Sequence, residues 1–383
     1  MQENLIFLQA YTSHAEHIHY RLKNENDEND NQSELKSIMT HAAYYWSAKG
    51  ITERLSNPLH DSPIKTISDH KVFSVTELDE YIDCGYKYFA DRILKLPSTE
   101  TESNWFSSLE RGNLYHSIFY RFYTHIQSEY TDSILPKVQL IPAKRNEYQE
   151  ALHSIAVEEL SYMYYDHPFM ELEKRAMFGD INQGIKGTLS RWLDGEIDSQ
   201  KDGFFPALFE TSFGDKYKRS NQVPPIHITN QILLQGKIDR IDISLDNASF
   251  KIIDYKTGSS SISQKDVESG NKLQMPLYIK AAQYILEYQY NSIDPKAANP
   301  TYYSLQEFKS KNAFNRNSDI EEKIQSILEK TDQEILKMKE GHFPVKPLNK
   351  ASCTYCNYSS ICRIYTKTPS LSEQFSEEID SHL

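Results

Sequence analysis

Apolar residues repeat at helical spacing through the first half of the chain and then switch to alternation. A stripe at three- and four-residue spacing predicts an amphipathic helix over 112–126. Its members are Leu114, Ile118, Phe119, Phe122 and Ile126. Residues 145–200 are predicted to be mostly helical, and a further helix with a Ser or Thr N-cap is predicted after Val72.

Beyond residue 200 the period shortens to two and β-branched residues become frequent, which predicts strands. The strand segments are 205–214, 226–246, 249–258 and 300–308, with helices over 273–288 and 319–340. Within them, 236–245 and 250–257 form a predicted hairpin. Helices that alternate with a few strands predict an α/β or α+β fold, in which helices flank a small central sheet.

The predicted hairpin carries ionisable groups on its apolar face. Side chains alternate sides along a strand, so Asp254 and Lys256 share one side. The register expected for a two- or four-residue loop pairs Leu245 with Phe250 and Asp239 with Lys256. We therefore expect two carboxylates and one ammonium to lie together on this face, within reach of one another.

Two carboxylates held this close repel each other, and burying either one unpaired is costly. A buried salt bridge between Asp254 and Lys256 would neutralise only one of them. A divalent cation accounts for both, because carboxylate oxygens are the hard ligands that Mg²⁺ and Mn²⁺ prefer. Lys256 would then orient a water molecule and stabilise charge on a phosphate. The hairpin predicts metal-assisted hydrolysis, with the plain salt bridge as the alternative.

The formal net charge of −12 does not exclude a nucleic-acid partner, because it is unevenly distributed. Residues 24–34 and 368–383 together hold nine acidic residues and neither Lys nor Arg, and both segments are predicted to be disordered. The N-terminal sequence lacks a signal-peptide pattern, and no apolar run reaches the ~20 residues needed to cross a bilayer. We expect a cytoplasmic protein without a membrane partner.

Three of the four cysteines lie close together. Cys353, Cys356 and Cys362 have C-x2-C-x5-C spacing, which indicates metal ligation, and Cys84 lies far upstream. A disulfide framework is not expected in a large cytoplasmic chain. Four thiolates can hold Zn²⁺, although zinc sites usually pair their cysteines as two knuckles. They also suit a four-iron cluster.

These motifs together resemble the PD-(D/E)XK nuclease superfamily. Asp239, followed by Asp254 and Lys256 in IIDYK, is similar to the D…(D/E)-x-K core of that superfamily. The stretches FPALFETSFG, GKIDRID, LQMPLY and RGNLYHSIFYRFY are similar to the RecB/AddB branch. The resemblance covers roughly residues 72–366, and the elements occur in the order typical of that branch.

The resemblance implies a metal site and a mechanism. His116, Asp239, Asp254 and the carbonyl group of Tyr255 would hold one or two Mg²⁺ or Mn²⁺ ions, and Lys256 would position the attacking water. His116 lies at the edge of the apolar helix stripe, where a histidine without the surrounding motif is more typical of a core or boundary residue.

The same resemblance implies DNA contacts from a Q-x3-Y motif. Gln274 and Tyr278 are four residues apart, so they share a helix face and would contact one strand near the metal. Ordinary packing on the helix surface is the alternative for both. Glu210, in the segment before the core, is either an additional metal ligand or a structural carboxylate, and it is interpreted as structural.

Cys84 and the cluster CTYCNYSSIC resemble the iron–sulfur staple of AddB proteins and of CRISPR-associated spacer-acquisition nucleases. The resemblance implies a [4Fe-4S] cluster on Cys84, Cys353, Cys356 and Cys362, with Zn²⁺ as the alternative. Because it would close a very long loop, such a cluster is expected to stabilise the nuclease fold.

The resemblance also implies a fold and a domain plan. Residues 71–367 would form a PD-(D/E)XK, restriction-endonuclease-like domain, with a central mixed sheet flanked by helices, a helical insertion at about 127–200 and ends stapled by the cluster. Residues 1–70 would be an N-terminal extension with an acidic linker, related to a helicase domain, and 368–383 an acidic tail.

The implied function is a metal-dependent DNA nuclease, and an exonuclease in repair or recombination end processing is expected. The sequence lacks a G-x-x-x-x-G-K-[ST] loop, so ATP hydrolysis is not expected. Two arrangements stay open: a stand-alone nuclease, or one that works with a helicase or ATPase subunit from another chain. An end-trimming nuclease of CRISPR spacer acquisition is one alternative. A non-catalytic DNA-binding component of a helicase–nuclease complex is the other.

Overall fold

The computed structural model describes residues 71–96, 106–129, 135–163, 168–180, 182–214, 223–258, 262–290, 294–354 and 356–362. The predicted N-terminal extension, its acidic linker and the acidic tail lie outside the described residues. The described chain divides into two compact units. The larger unit contains 72–79 and the described part of 100–332, and the smaller contains Lys71 and the described parts of 80–99 and 333–383.

The secondary structure follows the predicted change of period. The strands are β1 (Val72–Ser74), β2 (Gly179–Asp180), β3 (Ile185–Lys186), β4 (Phe204–Phe213), β5 (Ile226–His227), β6 (Leu233–Ser244), β7 (Ser249–Lys256), β8 (Lys296–Ala297), β9 (Thr301–Ser304) and β10 (Lys309–Asn312). The α-helices are α1 (Val75–Asp83), α2 (Gly85–Tyr88), α3 (Ser108–Gln127), α4 (Arg145–Ser161), α5 (Pro168–Phe178), α6 (Thr188–Ser199), α7 (Gln264–Glu268), α8 (Gln274–Tyr290), α9 (Ile320–Lys339), α10 (Ala351–Thr354) and α11 (Ser359–Cys362).

The main sheet of the larger unit is mixed. Its path is β1-β6-β7-β9-β10, and β4 and β5 also pair with β6 while β8 pairs with β7. The β4–β6, β6–β7 and β9–β10 pairs are antiparallel, whereas β1–β6 and β7–β9 are parallel. Helix α3 packs against β4, and α8 packs against β6, β7 and β8. The predicted central mixed sheet flanked by helices is confirmed.

Helix α3 carries the apolar stripe that the sequence predicted. A capping box starts it, because the Ser107 hydroxyl accepts a hydrogen bond from the Glu110 backbone N–H and Glu110 accepts one from the Ser107 backbone N–H. All members of the stripe are buried. Phe119 stacks on Trp192 of α6 with ring centroids 4.0 Å apart, which fixes the helix in the core.

The register predicted for the β6–β7 hairpin is wrong by two residues. The structure pairs Ile243, and not Leu245, with Phe250. Leu245 lies in the turn and is exposed, and the Ser244 hydroxyl closes the turn by accepting a hydrogen bond from the Ser249 backbone N–H (3.0 Å). Since the side-chain period of a strand is two, this even shift leaves every predicted ionisable group on its predicted face.

Two predicted helices are interrupted. The helix predicted after Val72 ends with α1 and resumes as α2 and a π-helical turn at Phe89–Ile93, with Cys84 extended between them. The mostly helical stretch 145–200 includes the short β2–β3 hairpin, with left-handed glycines at Gly179 and Gly184. Among the described residues, no helix is both long enough and apolar enough to traverse a lipid bilayer.

A buried charged network ties together two helices and two strands of the larger unit. Arg240 of β6 is 1% exposed and donates two hydrogen bonds to Asp242 (2.5 and 2.7 Å). It also donates to Glu196 of α6 (2.5 Å), to the Tyr255 hydroxyl of β7 (2.8 Å) and to the Tyr123 hydroxyl of α3 (3.1 Å). Charge-assisted hydrogen bonds of this kind fix the directions of the elements they join.

Candidate metal centre

Three metal-ligating side chains converge where α3 meets β4 and β6. Glu210 of β4 falls opposite Asp239 of β6 in the ladder, and His116 of α3 lies beside both. His116 Nδ1 is 2.8 Å from Glu210 Oε1 and 3.6 Å from Asp239 Oδ1. One ligand atom from each residue lies within 4.8 Å of the other two. The structure thus brings the predicted His116 and Asp239 together.

Glu210 was interpreted from the sequence as structural, but it belongs to this cluster. Its backbone has φ 45°, a left-handed value that a non-glycine residue adopts at a cost of ~1–3 kcal/mol. Glu210 also forms an ion pair with Lys237, whose side chain is half exposed. The resemblance of FPALFETSFG to the segment before the core was the only sequence signal for it. Its position depends on the β4–β6 register and on this unusual φ.

Burial and neighbouring charges shift the pKa values of Asp239 and His116 in this cluster. Burial raises the pKa of Asp239 to about 7, and the negative charge of Asp254 adds to this effect. Burial lowers the pKa of His116, but the hydrogen bond with Glu210 and the charges of Asp239, Glu210 and Asp254 outweigh burial, so that its pKa is raised. An excess of carboxylate at one partly buried point favours a bound cation.

Asp254 and Lys256 lie on β7 next to the cluster and share Gln274 as a partner. Lys256 Nζ is 2.6 Å from Asp254 Oδ2 and donates a hydrogen bond to Gln274 Oε1 (3.2 Å). Gln274 Nε2 donates to Asp254 Oδ1 (2.6 Å). The Asp254 side chain is 4% exposed and that of Lys256 32%. The amide of Gln274 therefore spans the carboxylate and the ammonium.

The Tyr255 backbone also borders the cluster. The β6–β7 ladder ends at the pair Arg240–Ile253, and beyond it the Asp239 carboxylate accepts a hydrogen bond from the Tyr255 backbone N–H (3.0 Å). The Asp239 carboxylate thus takes the place of a main-chain carbonyl as the acceptor for the Tyr255 N–H, and this hydrogen bond fixes Asp239 against β7. The phenol ring of Tyr255 lies on the other face, where its hydroxyl meets Arg240.

Tyr278 is largely enclosed by protein. It is 9% exposed, and its ring lies edge-on to Phe213 at 6.4 Å. A Cβ atom on Gly236 would lie 3.1 Å from this ring, so the close approach of β6 and α8 favours glycine there. Burial and the charges of Asp239 and Asp254 raise the pKa of the Tyr278 hydroxyl. Its predicted DNA contact stays a prediction.

The donor set fits a hard divalent cation. Carboxylate oxygens from two or three residues and one imidazole nitrogen are ligands that Mg²⁺ and Mn²⁺ accept. Asp254 supplies a further sign, because its Oδ2 atom is buried and accepts no hydrogen bond of normal geometry among the described residues, although Lys256 Nζ lies 2.6 Å away. A buried carboxylate oxygen without such a bond has a lone pair available for a metal ion.

The four cysteines belong to the smaller unit. Cys84 is buried with Tyr86, Ala90 and Tyr358, and Cys356 and Cys362 pack against the same cluster. Burial raises the pKa of Cys84, the neighbouring Cys356 raises it further, and backbone hydrogen bonds from three amides lower it. These amides belong to Lys87, Tyr86 and Lys346.

Main-chain contacts bring the distant cysteine segments together. The Tyr86 N–H donates to the Pro344 carbonyl (3.0 Å), and the Leu348 N–H donates to the Asp83 carbonyl (2.8 Å). A Cβ atom on Gly85 would lie 2.7 Å from Pro344 Cδ, so this approach requires glycine. Buried thiols that accept amide hydrogen bonds are suited to metal or iron–sulfur ligation.

Comparison with known proteins identifies relatives. A family model described as "PD-(D/E)XK nuclease superfamily" matches residues 72–363. An ATP-dependent helicase/deoxyribonuclease subunit from Clostridioides difficile is 25% identical over 351 residues, covering 86% of this chain and 28% of the relative. The protein of the same name from Alkaliphilus metalliredigens is 27% identical over 250 residues, covering 60% and 19%. The chain thus spans less than a third of the length of these relatives.

The family match includes every residue of the metal-ligand cluster and of the Asp254–Lys256 pair, as well as the four cysteines. It extends over more than half of the chain, and the mixed sheet flanked by helices agrees with it. The chain belongs to the PD-(D/E)XK nuclease superfamily.

Proposed function

We propose that this chain is a metal-dependent deoxyribonuclease that hydrolyses phosphodiester bonds, with an exonuclease role in DNA end processing. The observation that carries the proposal is the convergence of His116, Glu210 and Asp239 within 4.8 Å, beside the Asp254–Lys256 pair. A salt bridge alone would neutralise Asp254 and leave the carboxylates of Glu210 and Asp239 concentrated at one partly buried point. Family membership supports the same activity.

His116, Asp239 and Asp254 would hold Mg²⁺ or Mn²⁺, with Glu210 as a further ligand and the Tyr255 carbonyl as the ligand implied by the resemblance. When bound, the ion supplies Lewis-acid polarisation of the phosphodiester and a more acidic water molecule. The Asp239–Tyr255 hydrogen bond and the Glu210–His116 hydrogen bond keep the donor atoms in place before substrate arrives.

Lys256 would donate a hydrogen bond to the attacking water and stabilise the negative charge that grows on the phosphate oxygens. Gln274 would hold the Lys256 ammonium next to Asp254, since its amide contacts both groups. Negative charge on a substrate phosphate would then meet a fixed positive group. This arrangement supports hydrolysis over a plain structural ion pair.

Digestion of end-labelled single- and double-stranded DNA tests the proposal, with Mg²⁺ or Mn²⁺ and with protein purified without oxygen. Asp254→Asn and Lys256→Ala are each expected to lower the cleavage rate by about 10²–10³-fold or more without unfolding the protein. Lys251→Ala is the matched control, because Lys251 lies on the same strand but faces the opposite side near Asp202. Full activity in either test variant contradicts the proposal, and so does EDTA-resistant cleavage.

We further propose that the nuclease works with an ATP-dependent helicase. The relatives are named as subunits of an ATP-dependent helicase/deoxyribonuclease, and this supports a helicase partner together with a DNA substrate. An affinity pull-down from the native host, followed by an ATP-dependent unwinding assay, tests the partnership. If DNA ends are processed in that extract at the same rate with and without ATP, the partnership with a helicase is contradicted.

The four thiols of the smaller unit are proposed to hold a [4Fe-4S] cluster, with Zn²⁺ as the alternative. The three backbone hydrogen bonds to Cys84 and the packing of Cys356 and Cys362 around one aromatic cluster support the proposal. The cluster would supply stability to the smaller unit, because it would link chain segments that are far apart in the sequence.

A further inference from the structure

Tyr302 of β9 is the strand neighbour of the Asp254–Lys256 pair. In the parallel β7–β9 ladder Tyr302 pairs with Asp254, and Ser304 pairs with Lys256. Residues paired across a ladder share a face of the sheet, so the Tyr302 ring lies on the face that carries the Asp254 and Lys256 side chains. The residue is 1% exposed, which makes its position a fixed part of the core.

The ring contacts the Lys256 ammonium. Lys256 Nζ lies 5.7 Å from the Tyr302 ring centroid, within the range in which an ammonium is attracted to an aromatic ring. The same nitrogen is 2.6 Å from Asp254 Oδ2 and 3.2 Å from Gln274 Oε1. One carboxylate, one amide oxygen and one aromatic ring therefore surround the ammonium at the end of a long, flexible side chain.

The hydroxyl group of Tyr302 forms no hydrogen bond with the groups that surround the ammonium. Its oxygen is buried and has no hydrogen-bond partner among the described residues. A buried hydroxyl without a partner costs stability, so its presence does not explain why an aromatic residue occupies this position. The contact with Lys256 does explain it, because the ring is the part of the side chain that meets the ammonium.

We propose that Tyr302 is a positioning residue for Lys256, whose ammonium its ring holds beside Asp254 and Gln274 in the geometry needed for hydrolysis. The inference rests on the proposed nuclease function for its catalytic meaning. The position of the ammonium itself is independent of that function. The ring of Tyr302, and not its hydroxyl group, positions the ammonium. Two substitutions can therefore test the ring and the hydroxyl group separately.

Tyr302→Phe keeps the ring, and Tyr302→Leu removes it. We expect Tyr302→Phe to cleave DNA at the wild-type rate and to be at least as stable. We expect Tyr302→Leu to lower kcat by about 2- to 30-fold, the factor that corresponds to a cation–π contact, with the KM for DNA and the dissociation constant for Mn²⁺ unchanged. A lowered cleavage rate in Tyr302→Phe would overturn the proposal.

Tyr303→Leu controls for general damage to the core. Tyr303 is the next residue on β9, is also buried with a hydroxyl that has no partner among the described residues, and faces the opposite side, where its ring is 5.9 Å from Tyr255. Tyr303→Leu should lower the free energy of unfolding about as much as Tyr302→Leu does, while its kcat stays unchanged. An equal loss of kcat in both variants would assign the effect to folding and overturn the positioning role.

A measurement without substrate tests the same contact. In protein with ¹³C-labelled lysine, the ε-methylene resonance of Lys256, assigned by its absence in Lys256→Arg, should show an upfield ring-current shift. The shift should persist in Tyr302→Phe and disappear in Tyr302→Leu. An unchanged resonance in Tyr302→Leu refutes the inference. If the wild-type protein does not cleave DNA, the proposed function is refuted. The Lys256 resonance still tests the contact between Tyr302 and Lys256 in that case.

Discussion

Asp239 meets conflicting demands in the protein without metal. It must be ionised to ligate a cation, yet burial and the charge of Asp254 raise its pKa to about 7 from an ordinary value of 3.8. The folded state therefore keeps a proton on Asp239 at pH values where the unfolded chain has lost it. The ionised form of Asp239 that metal binding requires is the form that destabilises the metal-free fold.

Asp239→Asn should consequently stabilise the metal-free protein in a pH-dependent way. Because the folded-state pKa of Asp239 is raised, the contribution of this one group to stability decreases as pH increases from about 4 to about 7 and is then constant. The gain from Asn should grow over the same interval and reach on the order of 1–3 kcal/mol at pH 8. Urea unfolding with EDTA at pH 4.5, 6 and 8 measures it. A gain that is constant with pH contradicts this account of Asp239.

Glu210 was interpreted from the sequence as structural, and in the structure its strained backbone places the carboxylate beside His116 and Asp239. Glu210→Gln keeps a hydrogen-bond acceptor for His116 but removes the negative charge. We expect Mn²⁺ affinity to fall by about 10–100-fold, the range typical of groups that orient or assist a metal ligand. Isothermal titration calorimetry measures the change.

The control for the Glu210 substitution is Glu268→Gln. Glu268 binds Asn315 and Ser318 elsewhere in the larger unit, so its loss should leave Mn²⁺ affinity unaltered. An unaltered affinity in Glu210→Gln as well would assign Glu210 to the purely structural role that the sequence suggested. A loss confined to Glu210→Gln would place its charge in the metal site.

Among the elements, the β6–β7 hairpin illustrates how far the sequence predicts the site. Alternation predicted correctly that Asp239, Asp254 and Lys256 share a face, because periodicity survives an even shift of register. The register itself was wrong, since the Ser244 hydroxyl closes a turn that includes Leu245. The local alternation of residues predicts which side chains share a face of the sheet. Which residues pair across two strands depends on turn hydrogen bonds that involve single side chains.

Contacts between distant elements were harder to predict. The sequence suggested that Gln274 and Tyr278 contact DNA. The structure places Gln274 against Asp254 and the Tyr278 ring against Phe213, and the DNA contact of both residues stays a prediction. The meeting of Glu210 with His116 joins β4 to α3, and no spacing within either segment predicts it. The same holds for Arg240, whose partners come from three other elements as well as its own strand.

Arg240 should be the main electrostatic tie between the helices and the strands that carry the site. Arg240→Leu leaves Glu196 and Asp242 buried without a cation, which is expected to cost about 3–5 kcal/mol. Arg145→Leu is the matched control, because the Arg145–Asp194 pair is about one-third exposed and should contribute less than about 1 kcal/mol. Urea unfolding compares the two. Equal losses would contradict the role of the buried network.

At the scale of the molecule, the chain order of the two units is informative. The described part of the smaller unit comes from both sides of the larger one in the sequence, since the described residues of 80–99 and 333–383 enclose most of it. Cys84 belongs to the first segment, and the other three cysteines belong to the second. A cluster that joins them closes a loop containing the whole candidate metal centre, which restricts the unfolded chain.

Cys84→Ser should therefore separate stability from chemistry. In protein purified without oxygen, we expect loss of visible absorbance and of protein-bound iron, together with a lower melting temperature, because the link between the distant segments is lost. Mn²⁺ affinity at the site of His116 and Asp239 should be retained below the new melting temperature, since these ligands belong to the larger unit. Absorbance spectroscopy, metal analysis and calorimetry measure the three properties.

Ser352→Ala is the control for the cysteine substitution. It removes the hydrogen bond from the Ser352 hydroxyl to Asp83 (2.6 Å) in the smaller unit without altering a thiol, so bound iron should be retained. Wild-type protein with one zinc ion and no iron would favour the zinc alternative. An unchanged melting temperature in Cys84→Ser would contradict any metal staple, because closing a loop of this length must restrict the unfolded chain whichever metal the four thiolates hold.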